Sequence, residues 1–149
     1  MISIHTLSFA DLDTNLLYGL LQLRSEVFVV EQDCVYQDMD GKDHKALHVI
    51  GLKNDEVVAY ARIFKPGDYF DEAAIGRVVV KNTQREYGYG HQILKASIAA
   101  IKTNFKTHRI RLSAQTYLIH FYEQHGFITD GETYLEDGIP HINMVLKDQ

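Results

Sequence analysis

Hydrophobic positions along the chain recur with two different periods, and the changes between them predict an order of secondary structure. Residues 2–7 alternate between apolar and polar side chains, as a half-buried strand does. Further strands are predicted at residues 46–53, 56–64, 73–80, 108–114, 127–135 and 141–147. Apolar residues spaced three and four apart instead predict helices over residues 9–28, 91–105 and 119–127.

Short polar signals mark where these elements begin and end. Ser8 followed by Asp11 fits a capping box at the start of the first helix. Gly126 is placed to end the third helix as a C-terminal glycine. Asn54 and Asp55 separate two strand patterns and predict a hairpin. Residues 29–45 show neither period, and connectors of that length tend to be functional or mobile.

The predicted order is a strand, a helix, three strands, a helix, a strand, a helix and two strands. A chain of 149 residues is long enough to bury a sizeable core. The sequence shows no internal repeat and no linker. We therefore expect an α/β fold in which helices flank one mixed central sheet, as a single domain over residues 1–149.

Composition and charge narrow the classes of partner. The formal net charge is −5, which disfavours a nucleic acid as a partner. No apolar run approaches the roughly 18 residues that cross a membrane. The N-terminus lacks the basic region of a signal peptide. Cys34 is the single cysteine, so no intrachain disulfide can form, and we expect a cytoplasmic protein that binds neither nucleic acid nor membrane.

The most informative stretch is VVVKNTQREYGYGHQIL, Val78 to Leu94, where a strand pattern changes directly into a helix pattern. A helix N-terminus presents unpaired N–H groups and the positive end of the helix dipole, and both favour anions. Gly88 and Gly90 let the main chain come close to a ligand. Arg85 adds a permanently charged, planar group suited to phosphate. This spacing indicates a pyrophosphate site, and the structural alternative is a glycine-rich turn without a ligand.

This stretch resembles the acyl-CoA motif of the GNAT superfamily of N-acetyltransferases, in which a strand leads into Arg/Gln-x-x-Gly-x-Gly/Ala and a helix. The order of elements is similar over essentially the whole chain. The stretches LLQLRSEVFVVEQDCVYQDMDG, VAYARI, IGRVVV and EDGIPHINM resemble the ElaA-like branch more specifically. The chain departs from the usual motif at Asn82, where proline is common, and at Glu86, where glycine is common.

The resemblance implies a mostly antiparallel sheet in which one pair of strands splays apart to admit acetyl-CoA. The pantetheine arm would pair with the main chain of one of those strands, and the following loop would hold the pyrophosphate. By resemblance, the Val79 N–H would donate to the thioester carbonyl. The cofactor-binding residues implied in this way are Val78, Val79, Val80, Arg85, Glu86, Tyr87, Gly88, Tyr89, Gly90 and His91.

The activity implied is direct transfer of an acetyl group to a primary amine of a small molecule or peptide. Tyr122, in HFYEQHGF, matches a family tyrosine that protonates the leaving thiolate; the alternative is a core tyrosine. His141, in GIPHINM, is the candidate base, because histidine titrates in the right range. Its alternative is a strand-end histidine bonded to a carbonyl. Glu31 is a rival base, or else a solvated loop carboxylate.

Three arginines are considered together. Arg62 and Arg77 fall in strand patterns whose neighbours are apolar, and Arg24 lies in the first predicted helix. Arg24, Arg62 and Arg77 either bind an anionic group of the substrate or pair with buried carboxylates, since an unpaired buried arginine is costly. Residues 38–43 fail the spacing of a calcium loop. His44 and His48 lack a zinc pattern, so we expect no metal. Cys34 is either an inert thiol or a nucleophile for a two-step transfer.

Two rival functions stay open from the sequence. One is a non-catalytic acyl-CoA sensor with a blocked acceptor cleft, and the other is a phosphate-binding domain unrelated to coenzyme A. Many members of the superfamily pair as homodimers, so a homodimer is a state that the resemblance implies. The net negative charge disfavours highly acidic acceptors.

Overall fold

A computed structural model describes residues 1–147 of the chain. Its strands, labelled β1 to β7, are Ser3–Ser8, Leu47–Lys53, Glu56–Phe64, Ala73–Val80, Ile110–Gln115, Ile128–Glu136 and Ile139–Leu146. Its α-helices, labelled α1 to α3, are Thr14–Arg24, Tyr89–Phe105 and Ile119–Glu123. Short 3₁₀ turns cover Phe9–Asp11, Asp43–Lys45, Asn82–Tyr87 and Thr116–Leu118, and a π-helical segment covers Ser25–Glu31. This order confirms the predicted fold class and succession of elements.

The seven strands form one sheet in the order β1-β2-β3-β4-β5-β7-β6. All neighbours are antiparallel except β4 and β5, which are parallel. That pair is joined only at Ala73 with Ile110 and at Ala74 with Arg111. Beyond these two positions β4 and β5 separate, and the middle of the sheet opens into a gap.

Each face of the sheet is covered by a different helix. Ile93, Leu94 and Ile101 of α2 are fully buried in the larger apolar cluster, which includes side chains of β3, β4, β5 and β7. Leu20 and Leu23 of α1 belong to a second cluster that contacts the opposite face. The apolar stripes of the two helices therefore hold the sheet between two layers. None of the helices of residues 1–147 has the length and apolar composition needed to cross a bilayer.

The predicted capping box at Ser8 is wrong. Phe9–Asp11 forms only a 3₁₀ turn, and the chain is extended again at Leu12 with φ −76° and ψ 128°. The helix begins at Thr14, where the side chain of Asp13 accepts a hydrogen bond from the Leu16 N–H at 2.7 Å. Asp11 and Asp13 both suit a helix start, so the sequence pattern alone did not distinguish them. The extended backbone at Leu12 places the helix start after Asp13.

Candidate active site

The gap between β4 and β5 opens into a cleft of about 510 Å³. Its walls come from β4, β5, the start of α2, α3, the π-helical segment and the turn between β6 and β7. Three features of the sequence line it together: the β4–α2 junction, Tyr122 and His141. The structure therefore brings together residues as far apart in the chain as Val27 and His141.

The main chain of β4 alternates in the direction of its hydrogen-bonding groups. The Lys81 N–H donates to the Val58 carbonyl of β3, whereas the Val80 carbonyl accepts from Arg85. In an antiparallel pair the hydrogen-bonded residues alternate, so Val79, opposite Tyr60, directs its groups toward β3. The expectation for the Val79 N–H is therefore corrected: it faces away from the gap. The same alternation turns the main-chain groups of Val80 away from β3, and its carbonyl there accepts from Arg85.

A β-bulge interrupts β4 just before Val78. The pairing of β3 with β4 shifts register between Tyr60 and Arg62, and Arg77 adopts a left-handed φ of +53°. A non-glycine residue costs about 1–2 kcal/mol in that conformation. Bulges re-aim the groups beside them and are common next to active sites. Here the bulge interrupts the regular pairing of β3 with β4 directly before Val78.

The junction of β4 and α2 provides main-chain donors without partners inside the helix. Gly88 has a left-handed φ of +74° and precedes α2 without a side-chain cap. The first main-chain bond of the helix runs from the Gln92 N–H to the Gly88 carbonyl. The N–H groups of Tyr89, Gly90 and His91 consequently have no carbonyl of the same helix to bind. Gly90 packs against the Phe121 ring, where an added Cβ would lie 3.5 Å away.

Only some side chains of the β4–α2 junction face the cleft. Arg85 reaches across the cleft and makes two hydrogen bonds to Glu31, at 2.5 and 2.9 Å. His91 lines the cleft, and its Nδ1 lies 2.8 Å from Nε2 of His125. The side chains of Glu86 and Tyr87 are exposed outside the cleft, and that of Tyr89 is buried in the core. None of these three expected cofactor contacts has its side chain in the lining of the cleft.

Tyr122 is held in place by the end of α3. The Phe127 N–H bonds the Tyr122 carbonyl and the Gly126 N–H bonds the Glu123 carbonyl, which is a Schellman motif closed by Gly126 at φ +94°. The Phe127 ring packs edge-on against Tyr122 at a centroid distance of 6.0 Å. Burial, with a smaller contribution from Tyr117, raises the pKa of Tyr122 well above its usual value. The hydroxyl therefore stays protonated and can donate.

His141 is buried near the start of β7, and it also lines the cleft. Its Nδ1 lies 2.7 Å from the Ile139 carbonyl. A carbonyl only accepts, so Nδ1 carries a proton and Nε2 is the nitrogen left to take one. Nε2 lies 3.4 Å from a carboxylate oxygen of Glu136. The hydrogen bond to a carbonyl and the role as a base are therefore compatible, because the first uses Nδ1 and the second would use Nε2.

Glu136 belongs to a small polar cluster that the sequence did not reveal. The Ser113 hydroxyl donates to its Oε1 at 3.2 Å, and Ser113 also bonds the Tyr134 hydroxyl. The Tyr134 ring stacks on His141 with centroids 6.2 Å apart. The one available signal was the period of two, which places Tyr134 and Glu136 on the same face of β6.

The three arginines are paired with three aspartates of the irregular segment. Arg24 bonds Asp38 and Asp43 at 2.8 Å each, and it is fully buried away from the cleft. Arg62 bonds Asp40 at 2.6 Å and Asp43 at 2.9 Å.

Arg77 completes this network by bonding Asp38 at 2.8 Å. Arg62 and Arg77 line the cleft, yet the Arg62 Nε is enclosed and has no partner among residues 1–147. Three positive and three negative charges balance, which favours the structural pairing stated for these arginines. Arg24, expected to bind substrate, contributes no group to the cleft.

The remaining polar candidates have ordinary structural surroundings. His48 is buried between the Asp43 carbonyl at 2.9 Å and the Tyr60 hydroxyl at 2.5 Å. Burial lowers the pKa of His48, so the ring stays neutral. The buried Cys34 thiol faces the cleft and donates to the Asp137 carbonyl at 3.3 Å. No group of three metal-ligating side chains occurs within the described part of the chain.

Comparison with known proteins places this architecture in a family. Residues 16–147 match the model of the acetyltransferase (GNAT) domain. Protein ElaA of Escherichia coli K12 is 44% identical over 146 residues, which cover 97% of this chain and 95% of that protein. The crystal structure of Escherichia coli ElaA superposes with a TM-score of 0.92 at 43% identity, covering 99% of this chain and all of that one.

A second solved structure is equally similar in fold. An acyl-CoA N-acyltransferase from Pseudomonas aeruginosa gives a TM-score of 0.93 at 38% identity, with 98% of this chain and 99% of that chain covered. The two folds therefore correspond over nearly every residue of both chains. The chain therefore belongs to the GNAT acetyltransferase family, as a homologue of ElaA.

Proposed function

We propose that the protein is an acetyl-CoA-dependent N-acetyltransferase that transfers an acetyl group directly to a primary amine, and that residues 1–149 form one such domain. The observation that carries the proposal is the gap between β4 and β5, which leads to the uncapped N-terminus of α2. An extended arm can pair along an exposed strand edge, and a diphosphate suits a helix N-terminus. A thioester that ends such an arm would reach the cleft between Tyr122 and His141.

In this proposal the main chain holds most of the cofactor. Val78 and Val80 pair with the pantetheine arm, and the Val78 N–H replaces Val79 as the donor to the thioester carbonyl. One preorganised donor of this kind is worth about 3 kcal/mol in the transition state. The N–H groups of Gly90 and His91 and the guanidinium of Arg85 hold the diphosphate.

The chemistry requires a neutral amine, a stabilised oxyanion and a protonated leaving group. The amine nitrogen attacks the thioester carbonyl carbon, and the C–S bond breaks as the tetrahedral intermediate collapses. Tyr122 gives its proton to the thiolate of coenzyme A. Nε2 of His141 takes one proton from the bound ammonium to give the neutral amine before it attacks. The tetrahedral intermediate loses its second N–H proton to solvent, and solvent returns a proton to Tyr122. Glu31 is the less suitable base because it lies beside Arg85, at the end of the cleft that holds the diphosphate in this proposal.

A calorimetric titration with acetyl-CoA, and with ADP as the control ligand, tests the cofactor site first. We expect micromolar binding of acetyl-CoA that clearly exceeds binding of ADP, because only acetyl-CoA can occupy the β4–β5 gap. Thiol release over a panel of primary amines then separates transfer from binding. Binding without thiol release would favour the non-catalytic acyl-CoA sensor, and equal binding of both ligands would favour a phosphate-binding domain.

A further inference from the structure

Nε2 of His141 and a carboxylate oxygen of Glu136 lie 3.4 Å apart in the lining of the cleft. The Ile139 carbonyl requires a proton on Nδ1, so the neutral ring presents the lone pair of Nε2. The Glu136 carboxylate oxygen 3.4 Å from Nε2 is also an acceptor. Two acceptors facing each other repel unless a donor lies between or beside them. A positively charged N–H donor satisfies both.

The carboxylate of Glu136 is oriented by its neighbours. Its Oε1 accepts from the Ser113 hydroxyl at 3.2 Å, and Ser113 is itself bonded to the Tyr134 hydroxyl. This leaves Oε2 turned toward Nε2 of His141 and toward the cleft. Ser113, Glu136 and His141 all line that cleft. The Glu136 side chain is 46% exposed, so a ligand can reach it from the open side of the cleft.

The other charged side chains near Glu136 in the cleft also favour a positively charged ligand. Arg62 and Arg77 line the same cleft, and Asp38, Asp40 and Asp43 neutralise them together with Arg24. Asp137, next to Glu136 in the same turn, adds a further carboxylate. A ligand at this end therefore meets a negative environment, which attracts an ammonium group and repels a carboxylate.

We propose that Glu136 and His141 together bind the ammonium group of the acceptor, and that the acceptor is an amine without a carboxylate on the carbon that bears its nitrogen. This inference rests on the proposed function. The ammonium donates to the Glu136 carboxylate and to Nε2 of His141. Nε2 then removes one proton, and the neutral amine that results is the nucleophile. Glu136 is a binding residue in this scheme, and Ser113 is a positioning residue.

Matched acceptors test the proposal directly. Phenethylamine, phenylalanine and phenylalaninamide share one side chain but differ in the group beside the nitrogen. We expect kcat/KM for phenethylamine to exceed that for phenylalanine by on the order of tenfold or more. Phenylalaninamide, whose carboxamide carries no charge, should behave like phenethylamine. This comparison separates the effect of the carboxylate's charge from the effect of its size. Equal or better use of phenylalanine would overturn the proposal.

The variant Glu136→Gln removes one negative charge and keeps the side chain's size. We expect it to raise KM for phenethylamine by roughly tenfold, to change kcat less, and to reduce the discrimination against phenylalanine. The matched control is Glu132→Gln, an exposed glutamate on the same strand that lies outside the cleft. Acetyl-CoA affinity should be unchanged in both. An unaltered KM and unaltered discrimination in Glu136→Gln would remove this residue from the acceptor site.

A binding measurement keeps this inference separate from the proposed reaction. Phenethylamine and phenylalanine are titrated into the protein saturated with coenzyme A, which carries no acetyl group to transfer. Preferential binding of phenethylamine that is lost in Glu136→Gln supports the ammonium site even if no thiol is ever released, in which case only the transfer reaction fails. Absence of any preference, or of any binding, overturns the ammonium site.

Discussion

Arg85 donates two hydrogen bonds to the carboxylate of Glu31, from Nη1 at 2.5 Å and from Nη2 at 2.9 Å. Its Nε donates a third to the Val80 carbonyl, one of the main-chain groups that face the β4–β5 gap. A planar carboxylate and a phosphate use the same face of a guanidinium. Glu31 therefore occupies the position on Arg85 that the cofactor's diphosphate would take, and the two compete.

The first prediction follows from this competition. The substitution Glu31→Gln should tighten acetyl-CoA binding by roughly two- to fivefold, because a partly exposed ion pair of this kind is worth up to about 1 kcal/mol. Isothermal titration with acetyl-CoA and with ADP measures the gain. S-acetylpantetheine, which has no diphosphate, should show none. Glu26→Gln is the charge-matched control on the same π-helical segment, and weaker binding by Glu31→Gln would contradict the prediction.

The second prediction concerns the left-handed glycine at the start of α2. Gly88→Ala forces a side chain into φ +74°, which costs about 1–2 kcal/mol and turns the first N–H groups of the helix. We expect acetyl-CoA affinity to fall on the order of tenfold. Gly131→Ala is the matched control, because Gly131 has φ +86° on β6 away from the cleft. An equal loss of affinity in both variants would show only general destabilisation.

The third prediction concerns the proton donor. Tyr122→Phe removes the hydroxyl and keeps the ring that packs on Phe127, so the fold and acetyl-CoA affinity should be unchanged. We expect turnover to fall at least about tenfold, the lower end of general-acid effects. Tyr18→Phe, on the exposed side of α1, is the control. Unchanged turnover would remove Tyr122 from the mechanism.

Local sequence patterns predicted the elements of the fold because each pattern has a local cause. The stripe of α2 and the glycine-rich junction before it depend on neighbouring residues only, and both were found. Relationships across the sheet have no such local cause. The partners of Arg24 and Arg62 come from 14 to 22 residues away. The sequence therefore left open whether those guanidinium groups bind substrate or aspartates.

Two features of the site depend on details that residue type does not encode. The bulge at Arg77 decides which valine of β4 faces the gap, and a run of three valines carries no mark of it. Glu136 reaches His141 only because β6 and β7 pair in a register that puts Tyr134 opposite His141. Register is a tertiary property, so the polar cluster became visible only with the strands in place.

The last prediction concerns the aspartates that hold the irregular segment to the sheet. Burial would raise the pKa of Asp43, but hydrogen bonds and charges from Arg24 and Arg62 outweigh it and hold the pKa below its ordinary value. For Asp40, burial is likewise outweighed by the Arg62 guanidinium, and its pKa is also lowered.

A carboxyl whose pKa is lower in the folded protein binds fewer protons there than in the unfolded chain. Its contribution to stability is therefore present above the unfolded pKa of about 3.9 and is lost as pH falls through the folded value. We expect the unfolding temperature to decrease below about pH 4 as Asp40 and Asp43 become protonated. Asp40→Asn should lower stability at pH 7 and flatten this acid dependence. Asp71→Asn, at an exposed position, should leave it steep, and an equally steep dependence in Asp40→Asn would show that these ion pairs do not cause the acid sensitivity.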